Sequence, residues 1–167
     1  PAALLEHWRR APLRAAFLAE KRIGEKYRCD QPEGQIVRLS GYRTELAERM
    51  QAKGALCRGK GWNGDARRQD LPDWHLDKLA LLHDRCFLLG AQENMHHGLY
   101  VSEKIFDAFA CGALPVYFAG SGHRVFDLVP EAAMVNTYGQ DPAMAAQRLA
   151  ALTPDTSSAR AWLAACR

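Results

Sequence analysis

Residues 86–118 read CFLLGAQENMHHGLYVSEKIFDAFACGALPVYF, and this stretch decides the fold class. Residues 86–91 are a continuous apolar run whose length is typical of a strand buried on both faces of a sheet. Ser102 can cap a helix that ends at Gly112, because glycine commonly terminates helices. Residues 114–118 are apolar again and predict a second strand. A strand, a helix and a strand in this order indicate a parallel sheet.

The segments on either side extend the same alternation. Further helices are predicted at 40–54, 74–84 and from Asp141, and further strands at 35–39, 55–57 and 133–136. Ser40 and Asp141 are the predicted caps of their helices, and Pro142 suits the first helical position. We therefore expect an α/β fold, a Rossmann-like parallel sheet with helices on both faces.

Residues 1–34 are expected to form a separate helical segment. They are rich in Ala, Leu, Arg and Glu, which favour helices, and Pro12 marks the start or the break of one. The predicted domain organisation is thus a helical segment over 1–34 followed by a Rossmann-like domain over 35–167.

The composition excludes several classes of protein. Apolar residues make up 48% and charged residues 25% of the chain, which is ordinary for a folded soluble protein and argues against disorder. A formal charge of +3 without a basic and aromatic tract does not indicate a nucleic-acid partner. The five cysteines lack a CxxC spacing, which favours reduced thiols in the cytoplasm. The apolar runs are too short for a transmembrane segment.

A candidate site lies between the two strands of the opening stretch. Ligands of parallel sheets bind beyond the carboxyl ends of the strands, beside helix N-termini. Lys104 falls in a first helical turn, where the macrodipole disfavours a cation by up to about 1 kcal/mol. An anion held between Lys104 and the exposed N–H groups explains that position, and a solvated surface lysine is the alternative. The residues predicted to lie at the site are Glu93, Asn94, Tyr100, Ser102, Glu103 and Lys104.

Neighbouring residues also have two interpretations. Glu103 satisfies the helix dipole without any ligand, but a carboxylate there can equally accept hydrogen bonds from ribose hydroxyls. Asn94 can hold a turn and Tyr100 can serve packing alone. His96 and His97 are adjacent and lack a third ligand at a suitable spacing, so no metal site is predicted and both are expected to be exposed.

Residues 93–118 resemble the signature of the α-1,3/1,4-fucosyltransferases, glycosyltransferase family 10, which reads roughly E-N-(several)-Y-V-T-E-K-(I/L)-x-x-A-(several)-P-(I/V)-Y-W-G. The matching positions are Glu93, Asn94, Tyr100, Val101, Glu103, Lys104, Ala108, Pro115, Val116 and Tyr117. Ser102 replaces the usual threonine and keeps the hydroxyl, whereas Phe118 to Gly120 stand where Trp-Gly is usual. The resemblance covers about residues 36–150, and its many fixed positions make it more specific than a single glycine motif.

The resemblance implies one half of a GT-B glycosyltransferase. In this family the carboxyl-terminal domain binds the donor GDP-fucose, and the amino-terminal domain binds the glycan acceptor and supplies the base. The length of the chain suits the donor-binding domain alone, so an acceptor-binding domain is a missing partner. By motif, Lys104 and Arg43 neutralise the pyrophosphate, with Arg38 as the alternative to Arg43, and Glu103 holds the ribose. The donor pocket is lined by Asn94, Tyr100, Glu93 and Ser102.

The implied reaction is an inverting transfer of fucose to a glycan hydroxyl without a cofactor. Cations at the leaving diphosphate stabilise the charge that develops there, and no DxD pair for a divalent ion is found in the sequence. No residue is assigned as the base. The implied location is the cytoplasm, or the periphery of a membrane where glycans are assembled. The alternatives are a non-catalytic nucleotide-sugar-binding module that needs a partner domain, and a degenerate relative without a ligand.

Overall fold

The computed structural model describes residues 1–27, 37–62 and 73–167 of the chain. The helices are α1 (Ala2–Arg10), α2 (Ser40–Gln51), α3 (Trp74–Leu82), α4 (Lys104–Ala110), α5 (Val125–Leu128), α6 (Pro142–Ala151) and α7 (Thr156–Ala165). The strands are β1 (Leu13–Leu18), β2 (Val37–Arg38), β3 (Leu56–Arg58), β4 (Cys86–Gly90), β5 (Met95–His96), β6 (Leu114–Tyr117) and β7 (Val135–Asn136). Single 3₁₀ turns are formed by Glu25–Tyr27 and Glu131–Ala133.

Within the described residues, the main sheet has five parallel strands in the order β3-β1-β4-β6-β7. Leu88 of the central strand β4 is aligned with Ala15 of β1 and Leu114 of β6. Alternate residues face opposite sides of a sheet. Ala15 and Leu88 accordingly pack with α1, α2, α6 and α7, whereas Ala16 and Leu89 pack with α3 and α4. The predicted α/β fold with a Rossmann-like parallel sheet and helices on both faces is confirmed.

The helical prediction for the N-terminal segment is right for α1 and wrong for Leu13–Leu18. These residues form β1, which lies inside the sheet between β3 and β4. Ala15 and Ala16 are fully buried, one on each face. Small side chains are tolerated there because both faces are covered by helices, and this packing overrides the helix propensity of alanine. The predicted domain boundary at 34/35 falls outside the described residues, but β1 belongs to the same sheet as β4.

The start of α2 also differs from its prediction. Ser40 is the first helical residue rather than the cap, and Leu39 occupies the N-cap position without a side-chain hydrogen bond. The Leu39 N–H donates to Asn94 O at 2.7 Å, and the Ser40 hydroxyl donates to Asn94 Oδ1 at 3.2 Å. The strand predicted at 35–39 is confirmed at β2, which pairs antiparallel with β5. The start of α2 is therefore tied to the loop that follows β4.

The turn between α4 and β6 is held by helices from both ends of the chain. Gly112 terminates α4 in the left-handed conformation, with φ of +72°, which confirms its predicted role. Trp8 of α1 donates from Nε1 to Gly112 O at 2.8 Å, and Trp162 of α7 donates to Ala113 O at 2.8 Å. Both indole rings are buried, so these bonds satisfy two carbonyls of the turn that joins α4 to β6.

The last two helices complete the layer over one face of the sheet. Asp141 caps α6 as predicted, its carboxylate accepting from Met144 N at 2.8 Å. Helix α7 was not predicted, although Asp155 caps it in the same way through Ser158 N.

Among the described residues, none of the helices is long and apolar enough to cross a membrane.

Candidate functional site

The candidate site lies at the carboxyl edge of the main sheet, where the strand order changes direction. In the strand order, β3 lies next to β1 in one direction, whereas β4, β6 and β7 follow one another in the opposite direction. The direction therefore changes between β1 and β4. In doubly wound sheets the loops diverge at such a point and leave a crevice that holds ligands. Here the crevice lies between residues 19–24, which follow β1, and residues 91–103, which follow β4.

An open cleft of about 660 Å³ lies against the loop after β4. Carboxylates and apolar surface line it together: Glu93, Asn94, Met95, His97, Leu99, Tyr100 and Glu103. Leu99 is 72% exposed and Tyr100 is 49% exposed, so both side chains present apolar surface to this cleft. A cleft with an apolar wall and a few convergent polar groups suits a ligand that carries both a ring and hydroxyl groups.

Lys104 is the centre of a charged network at one end of this cleft. Its Nζ donates to Glu93 Oε2 at 2.5 Å and to Glu103 Oε1 at 2.9 Å. The Ser102 hydroxyl, which is fully buried, donates to Glu93 Oε2 at 2.8 Å and accepts from Lys104 N at 3.3 Å. Asn94 N donates to Glu93 Oε1 at 2.7 Å. Glu93 is thus held from three sides, and it fixes Lys104 in turn.

The network sets the charge of its members. Burial raises the pKa of Glu93, but the hydrogen bond and charge of Lys104, together with the hydrogen bonds from Ser102 and Asn94 N, outweigh burial and hold that pKa below its usual value. The same balance lowers the pKa of Glu103. For Lys104, burial lowers the pKa, and its bonds to the two carboxylates outweigh burial and raise it. All three groups are therefore charged at neutral pH.

Arg43 reaches the same corner from the opposite side. Its side chain is buried, and it donates to Gln92 O at 3.3 Å and to Asn94 Oδ1 at 3.1 Å. Burial lowers the pKa of Arg43 to about 10, and the charge of Glu93 opposes that shift. Arg43 stays protonated at neutral pH because this value lies well above 7. Its buried Nε has no hydrogen-bond partner among the described residues.

The structure brings most of the predicted site residues together. Arg43 bonds to Asn94 and Lys104 bonds to the adjacent Glu93, so the two cations approach one dipeptide from two sides. The remaining predicted residues lie in the same network or line the same cleft: Ser102, Glu103 and Tyr100. Arg38, the alternative to Arg43, lines a neighbouring pocket.

The expectation that His96 is exposed is wrong. It is 5% exposed in β5, where its Nε2 accepts from Gly120 N at 3.0 Å and its ring lies against Phe118 and His123. Pairing of β5 with β2 turns this side chain inward, and a polar loop sequence carries no sign of such a short strand. His97 is exposed, as expected.

Gln92 was missed by sequence reasoning. It is 1% exposed, and among the described residues neither its amide nitrogen nor its amide oxygen has a hydrogen-bond partner. Buried amide groups are seldom left without hydrogen bonds, so the Gln92 side chain is a second buried polar group, next to Arg43, whose hydrogen-bonding capacity is not used by the described residues. A single glutamine in a loop gives no pattern by which it could have been found.

The comparisons with known proteins assign no family. In the described ranges, no group of three or more metal-ligating side chains is close enough to hold a metal ion. No protein-family model matches the chain, and no curated protein matches its sequence significantly. The case for a function therefore depends on the geometry of the site and on the resemblance of residues 93–118.

Proposed function

We propose that this chain is the donor-binding half of an inverting fucosyltransferase that uses GDP-fucose. The observation that carries the proposal is the convergence of Arg43 and Lys104 on the Glu93–Asn94 dipeptide, beside an open cleft at the carboxyl edge of the sheet. A crevice at this edge is where doubly wound sheets bind nucleotides. The sequence motif supplies the donor identity and the geometry supplies the grouping of its residues.

In this proposal the nucleoside occupies the cleft. Tyr100 and Leu99 offer exposed apolar surface on which a flat base can lie. Glu103, whose side chain is 55% exposed, accepts hydrogen bonds from the ribose hydroxyls. The diphosphate then lies toward Arg43 and Lys104.

Donor binding requires an exchange of partners at Lys104. In the structure its Nζ is bonded to Glu93 and Glu103, which offsets its charge. When Glu103 turns toward the ribose, one Nζ donor is released for a phosphate oxygen. Glu93 is less exposed and keeps its bond, so Lys104 stays oriented. Recognition of the ribose is thereby coupled to recognition of the diphosphate.

The reaction follows from this arrangement. An acceptor hydroxyl attacks the anomeric carbon from the face opposite to the diphosphate, and its proton passes to a base outside the assigned residues. The bond between the sugar and the β-phosphate oxygen breaks, and negative charge develops on that oxygen. Fixed cations at this oxygen stabilise the transition state more than the ground state.

The test is a titration of GDP against the wild type, Lys104→Ala and the control Lys53→Ala, whose lysine is exposed after α2. Loss of a charge-assisted bond predicts roughly a tenfold or greater loss of affinity in Lys104→Ala alone. Thermal melting establishes that each variant is folded. Equal affinity in all three proteins removes Lys104 from the site, and no GDP binding to the wild type refutes the proposal.

One observation favours the alternative of a non-catalytic module: Lys104 is paired with two carboxylates. This pairing offsets the positive charge that the transfer reaction needs at the leaving diphosphate. A binding module retains GDP affinity but transfers no fucose when an acceptor-binding domain and a glycan are supplied. Turnover of GDP-fucose under those conditions excludes the module.

A further inference from the structure

A second pocket of about 410 Å³ opens beside the cleft. Asn94 and Met95 line both cavities, so the two share a wall. Among the described residues, the rest of the lining comes from the segment after β1, from β2 and from the start of α2: Arg22, Lys26, Tyr27, Arg38 and Ser40. The pocket thus occupies the crevice between β1 and β4, on the side away from the carboxylates of the Lys104 network.

The charge of this pocket is strongly positive. Arg22 pairs with Glu20 at 3.1 Å, which offsets one of its three cations. Lys26 Nζ lies 5.0 Å from the centre of the Tyr27 ring, and Arg38 donates to Lys26 O at 2.7 Å. Among the described residues, no carboxylate lies within ion-pair distance of Lys26 or Arg38. In the part of the chain that the structure describes, these two positive charges are therefore not paired with a carboxylate, in contrast to Lys104.

The start of α2 adds backbone donors to the same pocket. The helix has twelve residues and no side-chain cap, and Ser40, its first residue, lines the pocket. Within the described ranges, the N–H groups of Gly41 and Tyr42 have no hydrogen-bond acceptor. Gly41 is buried, and a buried unpaired N–H is costly unless a ligand or water satisfies it. The positive end of the helix dipole therefore points where the cations gather.

A buried donor beside the pocket supports the same conclusion. Arg43 is 6% exposed, and its Nε is unpaired among the described residues. Its guanidinium bonds to Asn94, which lines the pocket. The cations follow β1 or lie in β2, whereas the uncapped helix start and the unpaired arginine nitrogen both belong to the first turn of α2. Each of these features favours an anion.

We propose that the pocket formed by Arg22, Lys26, Arg38 and the start of α2 is a binding subsite for a phosphate group. It differs from the Lys104 network in residues and in net charge. The phosphate has two possible sources, the diphosphate of a nucleotide that lies in the adjoining cleft, or a separate phosphorylated molecule. The subsite does not depend on the proposed transferase activity, because inorganic pyrophosphate alone is expected to bind.

The test is calorimetric titration of inorganic pyrophosphate at low salt. The key variant is the double substitution Lys26→Gln/Arg38→Gln, which changes two exposed side chains. The control Arg9→Gln/Lys53→Gln removes the same charge at exposed positions in other parts of the chain. Loss of two charge-assisted contacts predicts at least about a tenfold weaker affinity in the key variant, with the control close to the wild type. Thermal melting checks that both variants are folded.

Equal affinity in the key variant and the control overturns the proposal, as does failure of pyrophosphate to bind the wild type at millimolar concentration. Addition of GDP to the pyrophosphate complex then separates the sources. Displacement of pyrophosphate identifies the nucleotide diphosphate, and simultaneous binding identifies a separate phosphate. If GDP does not bind at all, the proposed transferase function fails while the pyrophosphate result stands.

Discussion

The pair formed by Glu93 and Lys104 gives the sharpest prediction about this structure. Its atoms are 2.5 Å apart, and the side chains are 15% and 26% exposed, so the pair lies between the exposed and buried classes of ion pair. Exposed pairs contribute up to about 1 kcal/mol, whereas breaking a buried pair costs roughly 3–5 kcal/mol. We therefore expect Glu93→Gln to reduce the free energy of unfolding by about 2 kcal/mol. For a chain of this size the melting temperature then falls by about 4–8 °C.

A double-mutant cycle isolates the interaction. Glu93→Gln, Lys104→Gln and the double variant are unfolded in urea, and the coupling energy is expected to be about 1–2 kcal/mol. The matched control is the exposed pair of Glu6 and Arg10 on α1, with atoms 2.6 Å apart, for which a coupling of about 0.3–0.5 kcal/mol is expected. If the Glu93 and Lys104 substitutions are additive, the pair does not hold the site together and the reasoning is refuted.

The pH dependence gives a second measurement of the same pair. The pKa of Glu93 is lower in the folded protein than its ordinary value of 4.5. Its contribution to stability is therefore complete above about pH 4.5 and is lost as the pH falls through the lower, folded value. In Glu93→Gln this part of the acid destabilisation is absent. An unchanged acid profile in the variant contradicts the assignment.

Three further predictions concern the scaffold. Gly59→Ala is expected to lower the free energy of unfolding in urea by about 2–4 kcal/mol, because φ is +126° and the new Cβ would lie 2.4 Å from Ala19 O. The control Gly54→Ala, at a φ of +90° with open space around the new Cβ, should lower it by about 1 kcal/mol. Equal losses in the two variants would contradict a steric clash at Gly59. Burial and two neighbouring histidines lower the pKa of His123, so the contribution of neutral His123 to stability is complete above about pH 6.5 and is lost as the pH falls through the folded value. A plot of the urea unfolding midpoint against pH should therefore be flatter over this range in His123→Asn. An unaltered slope in the variant would mean that His123 is not responsible for this pH dependence. Trp8→Ala should lower the free energy of unfolding, measured by thermal unfolding, by about 3–5 kcal/mol, because the Trp8 side chain is 2% exposed and packs in the main core. A loss of less than about 1 kcal/mol would mean that α1 is not part of that core.

Much of the fold was predictable because long-range packing and local pattern agree around β4. Residues 86–90 are apolar throughout and lie in the centre of the sheet, and Gly112 ends α4 where its missing side chain permits. Around Leu13–Leu18 the two disagree. Alanine and arginine favour a helix locally, and only the later strands and helices that cover both faces make a strand the better solution.

The grouping of the cations and carboxylates of the candidate site was predictable from the sequence, but the residues around them were not. Glu93 and Lys104 carry a recognisable motif, and their grouping follows from the direction of parallel strands. The basic pocket combines Arg22 and Lys26, which follow β1, with Arg38 from β2. Because the segment before β2 was predicted to be helical and separate, its arginine and lysine residues could not be assigned to the crevice.

The position of β1 has a consequence for synthesis of the chain. Leu13 of β1 pairs with Cys86 of β4, so the apolar segment β1 cannot pair with the central strand until about 70 more residues have been synthesised. At ribosomal rates this delay lasts roughly 4–15 s. During that time an apolar stretch is available to chaperones and to other nascent chains, and slower translation between the two strands would lengthen the exposure. Aggregation of this protein during expression should therefore respond to codon usage upstream of β4 more than downstream of it.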